Sequence, residues 1–474
     1  MTDADWQSTR NFIYNKRVMS LARQKLFFAG IGGSGVSAIA RFMAERGHRV
    51  CGSDRAFLAS VEHPVCAALR ASGIRIVPPD GSGVTPDIDL FIYSTAVEPG
   101  QPDRARASEL GLQILSRPDY LARISSDFRT IAVAGTSGKS TTAGMLAFAM
   151  QQLGMSPSFI GGGRVKQFRT PDNPGNALIG TSDYLIIEAC ESDGSIINYQ
   201  PLHTILLNLE RDHHEVVKTA GLFRCLLNQT RWGIYLNADD ANLSAPDDRN
   251  AVGFSLSGES AYRAENIALG AMESAFTVHG FPFRLTLPGL YNVYNALACI
   301  ACLGEIGVPM HAVSGVLAHF QGIDRRFDIR RNDGQALVID DYAHNPHKIH
   351  SMMQAMQSVS PAIFYIFQPH GFGPTRMMKD EYITAFAQNL RREDSLAILP
   401  IYYAGGTAQK DISSEDLAEG IRRKGKSARA LDTRADLFPL TEAWNTYVVL
   451  GARDESLSTL ADDIAARIGE NHPT

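Results

Sequence analysis

From residue 25 onward, short apolar runs alternate with stretches of helical period. Leu26 to Ala29 predicts a buried strand, Ser37 to Arg46 a helix, His48 to Gly52 a second strand and Asp89 to Ser94 a later one. This alternation predicts a parallel α/β unit. A second such unit opens with the β-branched and apolar run Thr130 to Ala134, and includes strands at Tyr184 to Ile187 and Thr204 to Asn208. Between about 245 and 288 the helical period fades, and Ala275-Phe276-Thr277-Val278 alternates as an antiparallel insert would. A third unit starts near Phe327, with strands at Ala336 to Ile339, Ile363 to Phe367, Ser395 to Pro400 and Tyr447 to Leu450. The predicted organisation is an N-terminal extension, 1–24, followed by domains at 25–125, 126–326 and 327–474.

Length supports this division, because 474 residues suffice for about three domains with separate cores. A net charge of −5 and no long basic run argue against a nucleic-acid partner. No apolar run reaches the roughly 18 residues of a membrane span. The polar first 24 residues lack the apolar segment of a secretory signal, so a cytoplasmic protein with no membrane partner is expected. Six scattered cysteines agree with a reducing compartment. Cys299 and Cys302 fall on one face of an alanine-rich helical pattern, which predicts core packing and not a redox or metal pair. Oligomeric state is not readable from these patterns.

Candidate chemistry sits at the predicted strand ends. After the Thr130 strand comes Gly135-Thr136-Ser137-Gly138-Lys139-Ser140-Thr141, a glycine turn leading into a helix. Its backbone N–H groups and Lys139 suit a phosphate, and Ser140 is placed for Mg²⁺. Val133 occupies the position where a full phosphate loop has its first glycine, so this loop is shortened. Earlier, Gly30-Ile31-Gly32-Gly33-Ser34-Gly35 lies between a strand and a helix, and Asp54 ends the next strand. That spacing is a dinucleotide fingerprint, open to either a nicotinamide cofactor or a UDP-sugar. The Tyr184 strand runs into Glu188, Glu191 and Asp193, hard oxygen ligands suited to Mg²⁺. The Thr204 strand ends in Asn208-Leu209-Glu210-Arg211-Asp212-His213-His214, with His213 the favoured functional histidine. Asn292 and Asn295 stand one helical turn apart, a pairing that suits an adenine edge. Arg325 and Arg326 offer guanidinium groups to phosphate charge, and Asp340, Asp341 and His344 close another strand.

Taken together and in order, these motifs resemble the Mur ligases, ATP-dependent amide-forming enzymes of peptidoglycan assembly. The likeness is strongest to the branch that adds L-alanine to UDP-N-acetylmuramate. It implies an α/β, three-domain architecture: a Rossmann-like N-terminal domain, a central P-loop ATPase-like domain and a Rossmann-like C-terminal domain. It implies ATP and Mg²⁺ as cofactors, and a UDP-linked acid plus an amino acid or peptide as substrates. The carboxylate would be activated as an acyl phosphate and attacked by the amine. By position, Gly135 to Thr141, Asn292, Asn295 and Arg326 would hold ATP, and Ser140, Glu188 and His213 the metal. Gly30, Gly32, Gly33, Gly35, Asp54 and Ser94 would hold the UDP-sugar. His344, His370 and Arg376 would face the amino acid, and Lys139, Glu188, His213, Arg326, Asp341 and His344 would form the catalytic set.

The sequence departs from the family at several of these motifs. Phe367 to Arg376 resembles F-Q-P-H-R-Y-T-R-T-R, with Gly371 and Pro374 in place of two arginines and only Arg376 retained. Loss of two carboxylate-pairing charges changes acid recognition, and restoring arginine at Gly371 is expected to tighten amino-acid binding. Ser137, Cys190 and Tyr291 also replace usual family residues. The alternatives are a murein tripeptide-recycling ligase, a related ligase acting on a non-peptidoglycan acid, a silent nucleotide-binding paralogue and, more distantly, an NAD-dependent oxidoreductase. The oxidoreductase leaves the second phosphate loop and the Glu188 cluster without a use.

Overall fold

A computed structural model describes residues 23–58, 64–210, 216–245, 250–403, 409–441 and 444–470. The chain forms two compact units, the second built mainly from residues 322 onward.

The first unit carries two larger sheets, one parallel and one parallel except at the edge pair of Ser158–Ile160 with Ala177–Leu178. In the N-terminal sheet the strand order is Arg75–Ile76, Arg49–Ser53, Lys25–Ala29, Leu90–Tyr93, Ile114–Ser116. The order reverses at Lys25–Ala29, the strand that feeds the Gly30 loop. In open α/β sheets ligands bind beyond the carboxyl ends of strands at such a reversal. The helix after this loop spans Ser34–Glu45, three residues earlier than its apolar period predicts, because extended Gly33 serves as its N-cap.

The eight-stranded sheet places Arg129–Ala134 between His203–Leu206 and Tyr184–Glu188. Five of the six residues of Arg129–Ala134 are buried, as expected of a strand covered on both faces. The His203 strand stops at Leu206, short of the expected Asn208, whose side chain turns back onto the phosphate loop. Part of the region expected to be an antiparallel insert joins this sheet instead. Val252–Ser255 and Tyr262–Arg263 extend its edge in parallel register. The antiparallel pairing is confined to Ser274–Val278 with Phe281–Leu285 in a small three-stranded sheet.

One apolar core runs through both larger sheets, from Leu26 and Phe28 to Ala132, Leu185 and Leu206. Full burial of each such aliphatic side chain contributes about 1.5–3 kcal/mol relative to exposure. Cys299 and Cys302 lie in the buried face of the helix Leu290–Glu305, and all six cysteines are free. Burial pushes both of these thiols well above their ordinary range.

The second unit holds a six-stranded sheet in the order Asp328–Asn332, Leu337–Asp341, Thr446–Gly451, Phe364–Gln368, Ser395–Ile398, Ala428–Ala430. Only the Asp328 edge strand, which the apolar pattern did not signal, runs antiparallel. The carboxyl ends of Leu337–Asp341 and Phe364–Gln368 flank that of Thr446–Gly451. The residues of the Asp341 and His370 motifs therefore emerge at one sheet edge.

Candidate active site

The phosphate loop is built from the end of the strand Arg129–Ala134. Val133, at the missing glycine position, is still strand and pairs in register with Glu188, which is why the loop is short. Gly138 has φ +84 and caps the helix Lys139–Gln152. A Cβ there would lie 2.5 Å from Asn295 Oδ1, so the turn and the close approach both require glycine. Asn208 fastens the tip of the loop. Its Oδ1 accepts from Thr136 Oγ1 and Ser137 N, each at 2.8 Å, and its Nδ2 donates to the Ser137 carbonyl at 3.2 Å.

Two carboxylates meet this loop. Ser140 Oγ donates to Glu188 Oε2 at 2.8 Å, bringing together two oxygens expected at a metal. The other oxygen of Glu188 accepts from Gly162 N at 2.7 Å and Gly163 N at 3.1 Å. Lys139 Nζ pairs with Glu191 Oε2 at 2.9 Å and also donates to the Gly135 carbonyl. Burial alone would push the Lys139 ammonium down, but Glu191, Cys190 and Glu188 outweigh it and hold its pKa above the ordinary lysine value. Glu191 Oε1 is buried without a hydrogen-bond partner. His213 lies outside the described residues. Among the described residues no group of three or more His, Cys, Asp or Glu side chains could hold a metal.

Asn292 and Asn295 are both buried, and Asn295 Nδ2 donates to Asn292 Oδ1 at 3.3 Å. Asn295 Oδ1 accepts from Thr142 Oγ1 at 3.1 Å, so this pair braces the first turn of the loop helix.

At the N-terminal sheet the expected residues also converge. Gly32 N donates to Asp54 Oδ2 at 2.8 Å, and a Cβ on Gly30 would lie 2.9 Å from that of Ser94. Gly33, whose N–H donates to the Gly30 carbonyl at 3.3 Å, caps the helix, and Gly35 lies in its first turn, the helix end that favours an anion. Arg117, opening the helix Arg117–Ser126, pairs with Asp193 at 3.1 Å. It thereby ties this sheet's edge to the Glu188–Asp193 segment.

In the second unit the paired arginines separate in role. Arg325 is not a free phosphate ligand: it is buried, bonded to Asp340 Oδ1 at 3.2 Å and to the Gly451 and Asp454 carbonyls. Arg326 lies with its guanidinium 4.8 Å from the centre of the Tyr342 ring. Asp341 is buried, and its carboxylate accepts from Phe327 N and Ala343 N, each at 2.7 Å. Burial raises its pKa. That geometry is one of positioning: Asp341 fixes the backbone on either side of Arg326 and His344. His344 Nδ1 donates to the Tyr342 carbonyl at 2.8 Å, leaving Nε2 as the acceptor. Burial first, then the nearby Lys348, pushes its pKa down to about 3. Its ring meets that of His370 edge-on at 5.3 Å. Arg376 pairs with Asp411 at 2.5 Å and donates to the Gln409 carbonyl at 3.2 Å. Gly371 has φ +71 and ψ 127, which opposes the expectation that arginine there would restore binding.

Four contributors escaped sequence reasoning as individuals. Glu191 stood in an acidic cluster with nothing to single it out, and Asn208 in a motif without an assigned partner. Gly162 and Gly163 follow the strand Ser158–Ile160, which the sequence reading did not single out.

Similarity to known proteins covers nearly the whole chain. Residues 25–129 match the Mur ligase family catalytic domain, 133–303 the Mur ligase middle domain and 325–453 the Mur ligase glutamate ligase domain. The UDP-N-acetylmuramate–L-alanine ligase of a Sulfurihydrogenibium species is 30% identical over 465 residues, covering 94% of this chain and 98% of its own. That of Psychrobacter cryohalolentis is 31% identical over 468 residues, 94% of each chain. The solved UDP-N-acetylmuramate–alanine ligase of Thermotoga maritima superposes with a TM-score of 0.78 at 27% identity, covering 95% of this chain and all of that one. A murein peptide ligase of Psychrobacter arcticus shares the fold at 21% identity, with a TM-score of 0.68 and coverage of 95% and 100%. With all three family domains matched in order, this chain belongs to the Mur ligase family.

Proposed function

We propose that this chain is an ATP-dependent ligase that joins L-alanine to the carboxylate of UDP-N-acetylmuramate in peptidoglycan synthesis, in the cytoplasm. The observation that carries the reading is the assembly of Lys139, Ser140, Glu188 and Asn208 at one edge of a parallel sheet, within a chain aligned end to end with alanine-adding ligases. No described helix is long and apolar enough to cross a membrane.

The residues fit a magnesium nucleotide. Ser140 Oγ and Glu188 Oε2 are adjacent hard oxygens, Gly138 leaves the loop backbone open, and Glu191 Oε1 is a buried acceptor still in want of a donor. In this reading Ser140 and Glu188 hold Mg²⁺, which supplies positive charge beside the phosphates. Lys139 offsets the charge that develops as the terminal phosphoryl group passes to the substrate carboxylate. Asn208 and Asn295 keep the loop in the shape that aligns it. Gly30, Gly32, Gly33, Gly35, Asp54 and Ser94 take the UDP moiety. In the second unit Arg326 serves phosphate, while His344 and His370 face the amine that displaces phosphate to form the amide. Asp341 acts by holding the turn that carries them.

A peptide amine is the second reading, favoured by the loss of two carboxylate-pairing arginines of the family pattern, replaced here by Gly371 and Pro374. ADP release in the presence of UDP-N-acetylmuramate and a panel of amino acids and peptides separates the two. L-alanine should give the highest kcat/KM, and Lys139→Ala should lower it at least about a hundredfold. A preference for a tripeptide would replace the first reading with the second, and ADP release independent of any muramyl acid would remove both.

A further inference from the structure

Lys139 and Glu191 form a pair largely withdrawn from water, with side chains 14% and 3% exposed. Glu191 has one oxygen on Lys139 and the other buried with no partner. Glu188, one strand end away, is fully engaged by Ser140 and the Gly162 and Gly163 amides. The same ammonium that neutralises Glu191 is the group positioned for phosphate. If Lys139 turns to a nucleotide, Glu191 becomes a buried carboxylate without a counter-charge, and losing one partner of a buried pair is strongly unfavourable. Ser140 and Glu188, by holding a divalent cation, would restore the balance. Both carboxylates already lie close enough to act on the Lys139 ammonium.

We propose that Glu191 is a positioning residue that couples nucleotide binding to the divalent cation. It retains Lys139 until a nucleotide arrives, and releases it only when the metal replaces its charge. The inference rests on the assignment of Gly135 to Thr141 as the nucleotide site, and extends it to the order of loading: metal-free nucleotide is a poor ligand.

The test is equilibrium binding of a fluorescent ADP analogue to the full chain, with Mg²⁺ and with EDTA, in wild type and Glu191→Gln. Wild type should bind at least about a hundredfold more weakly without Mg²⁺. In Glu191→Gln there is no pair to break, so metal-free binding should tighten about tenfold or more while binding with Mg²⁺ changes by less than about threefold. A merely structural role would weaken both affinities together and leave their ratio intact, and that result would overturn the proposal. Wild type alone is decisive should the variant fail to fold: affinities within about threefold of each other in Mg²⁺ and EDTA also overturn it. Absence of binding under both conditions would instead remove the nucleotide site itself, and the coupling with it.

Discussion

At the scale of single residues, His344 and Gly371 show how surroundings decide what a side chain can do. His344 is buried, donates through Nδ1 and is held neutral, with its pKa near 3 against an ordinary 6.5. The unfolded chain therefore binds a proton between those values that the folded protein does not. The stability linked to this histidine is complete above about pH 6.5 and declines as pH falls toward 3. Urea midpoints measured from pH 7 to 4 should fall more steeply for wild type than for His344→Asn, which keeps a donor for the Tyr342 carbonyl; parallel slopes would contradict this. The kcat/KM profile should carry no ionisation of this residue near neutral pH. Gly371 bears on specificity. Its left-handed φ makes any side chain strained by roughly 1–3 kcal/mol, and a Cβ would press on Pro374 Cδ at 3.2 Å. Gly371→Arg should lower Tm and leave KM for the amino acid no better. A tighter KM with unchanged Tm would show that the backbone adapts. The sequence favoured such a gain because residue type reveals a missing charge but not the φ angle that displaced it.

Secondary elements explain which parts of the site were legible. Parallel strands deliver their chemistry at carboxyl ends, so Gly30, Gly135, Glu188, Asp341 and His370 could be read as apolar runs that stop abruptly at polar residues. The contacts among those ends join segments far apart in sequence, and spacing carries no trace of them. Glu188 is held by Gly162 and Gly163, and Thr136 and Ser137 by Asn208. Arg325 and Arg326 are chemically identical neighbours that both lie over the Tyr342 ring, at 5.2 and 4.8 Å, yet Arg325 is buried against Asp340 and Arg326 is only half-buried. Only the turn between Gly322 and the Asp328 strand separates them. Asn208 gives the element-scale test. Asn208→Ala removes the bonds that tie the loop tip to the neighbouring strand end. It should raise KM for ATP and lower kcat/KM about tenfold or more, at about 1 kcal/mol of net stability per bond lost. An unchanged KM for ATP would mean that the loop holds its shape without the asparagine.

For the whole molecule, the two units carry different chemistry: a sheet edge with Lys139, Ser140 and Glu188 in one, a histidine pair and a stacked arginine in the other. The succession of α/β units was evident in the strand and helix periods. The continuity of the core through both sheets of the first unit was not, because Leu26 and Leu185 each look like ordinary strand residues. The branch of the family was legible in motif order, while the amine was obscured by Gly371 and Pro374. The central claim is that a muramyl carboxylate is activated by phosphorylation before the amine attacks. It is tested most directly with UDP-N-acetylmuramate labelled with heavy oxygen in the carboxylate, incubated with ATP, Mg²⁺ and L-alanine. Mass spectrometry should find one heavy oxygen in the released phosphate and the other in the new amide. Phosphate free of label, or label retained wholly in unreacted acid, would contradict an acyl-phosphate ligase.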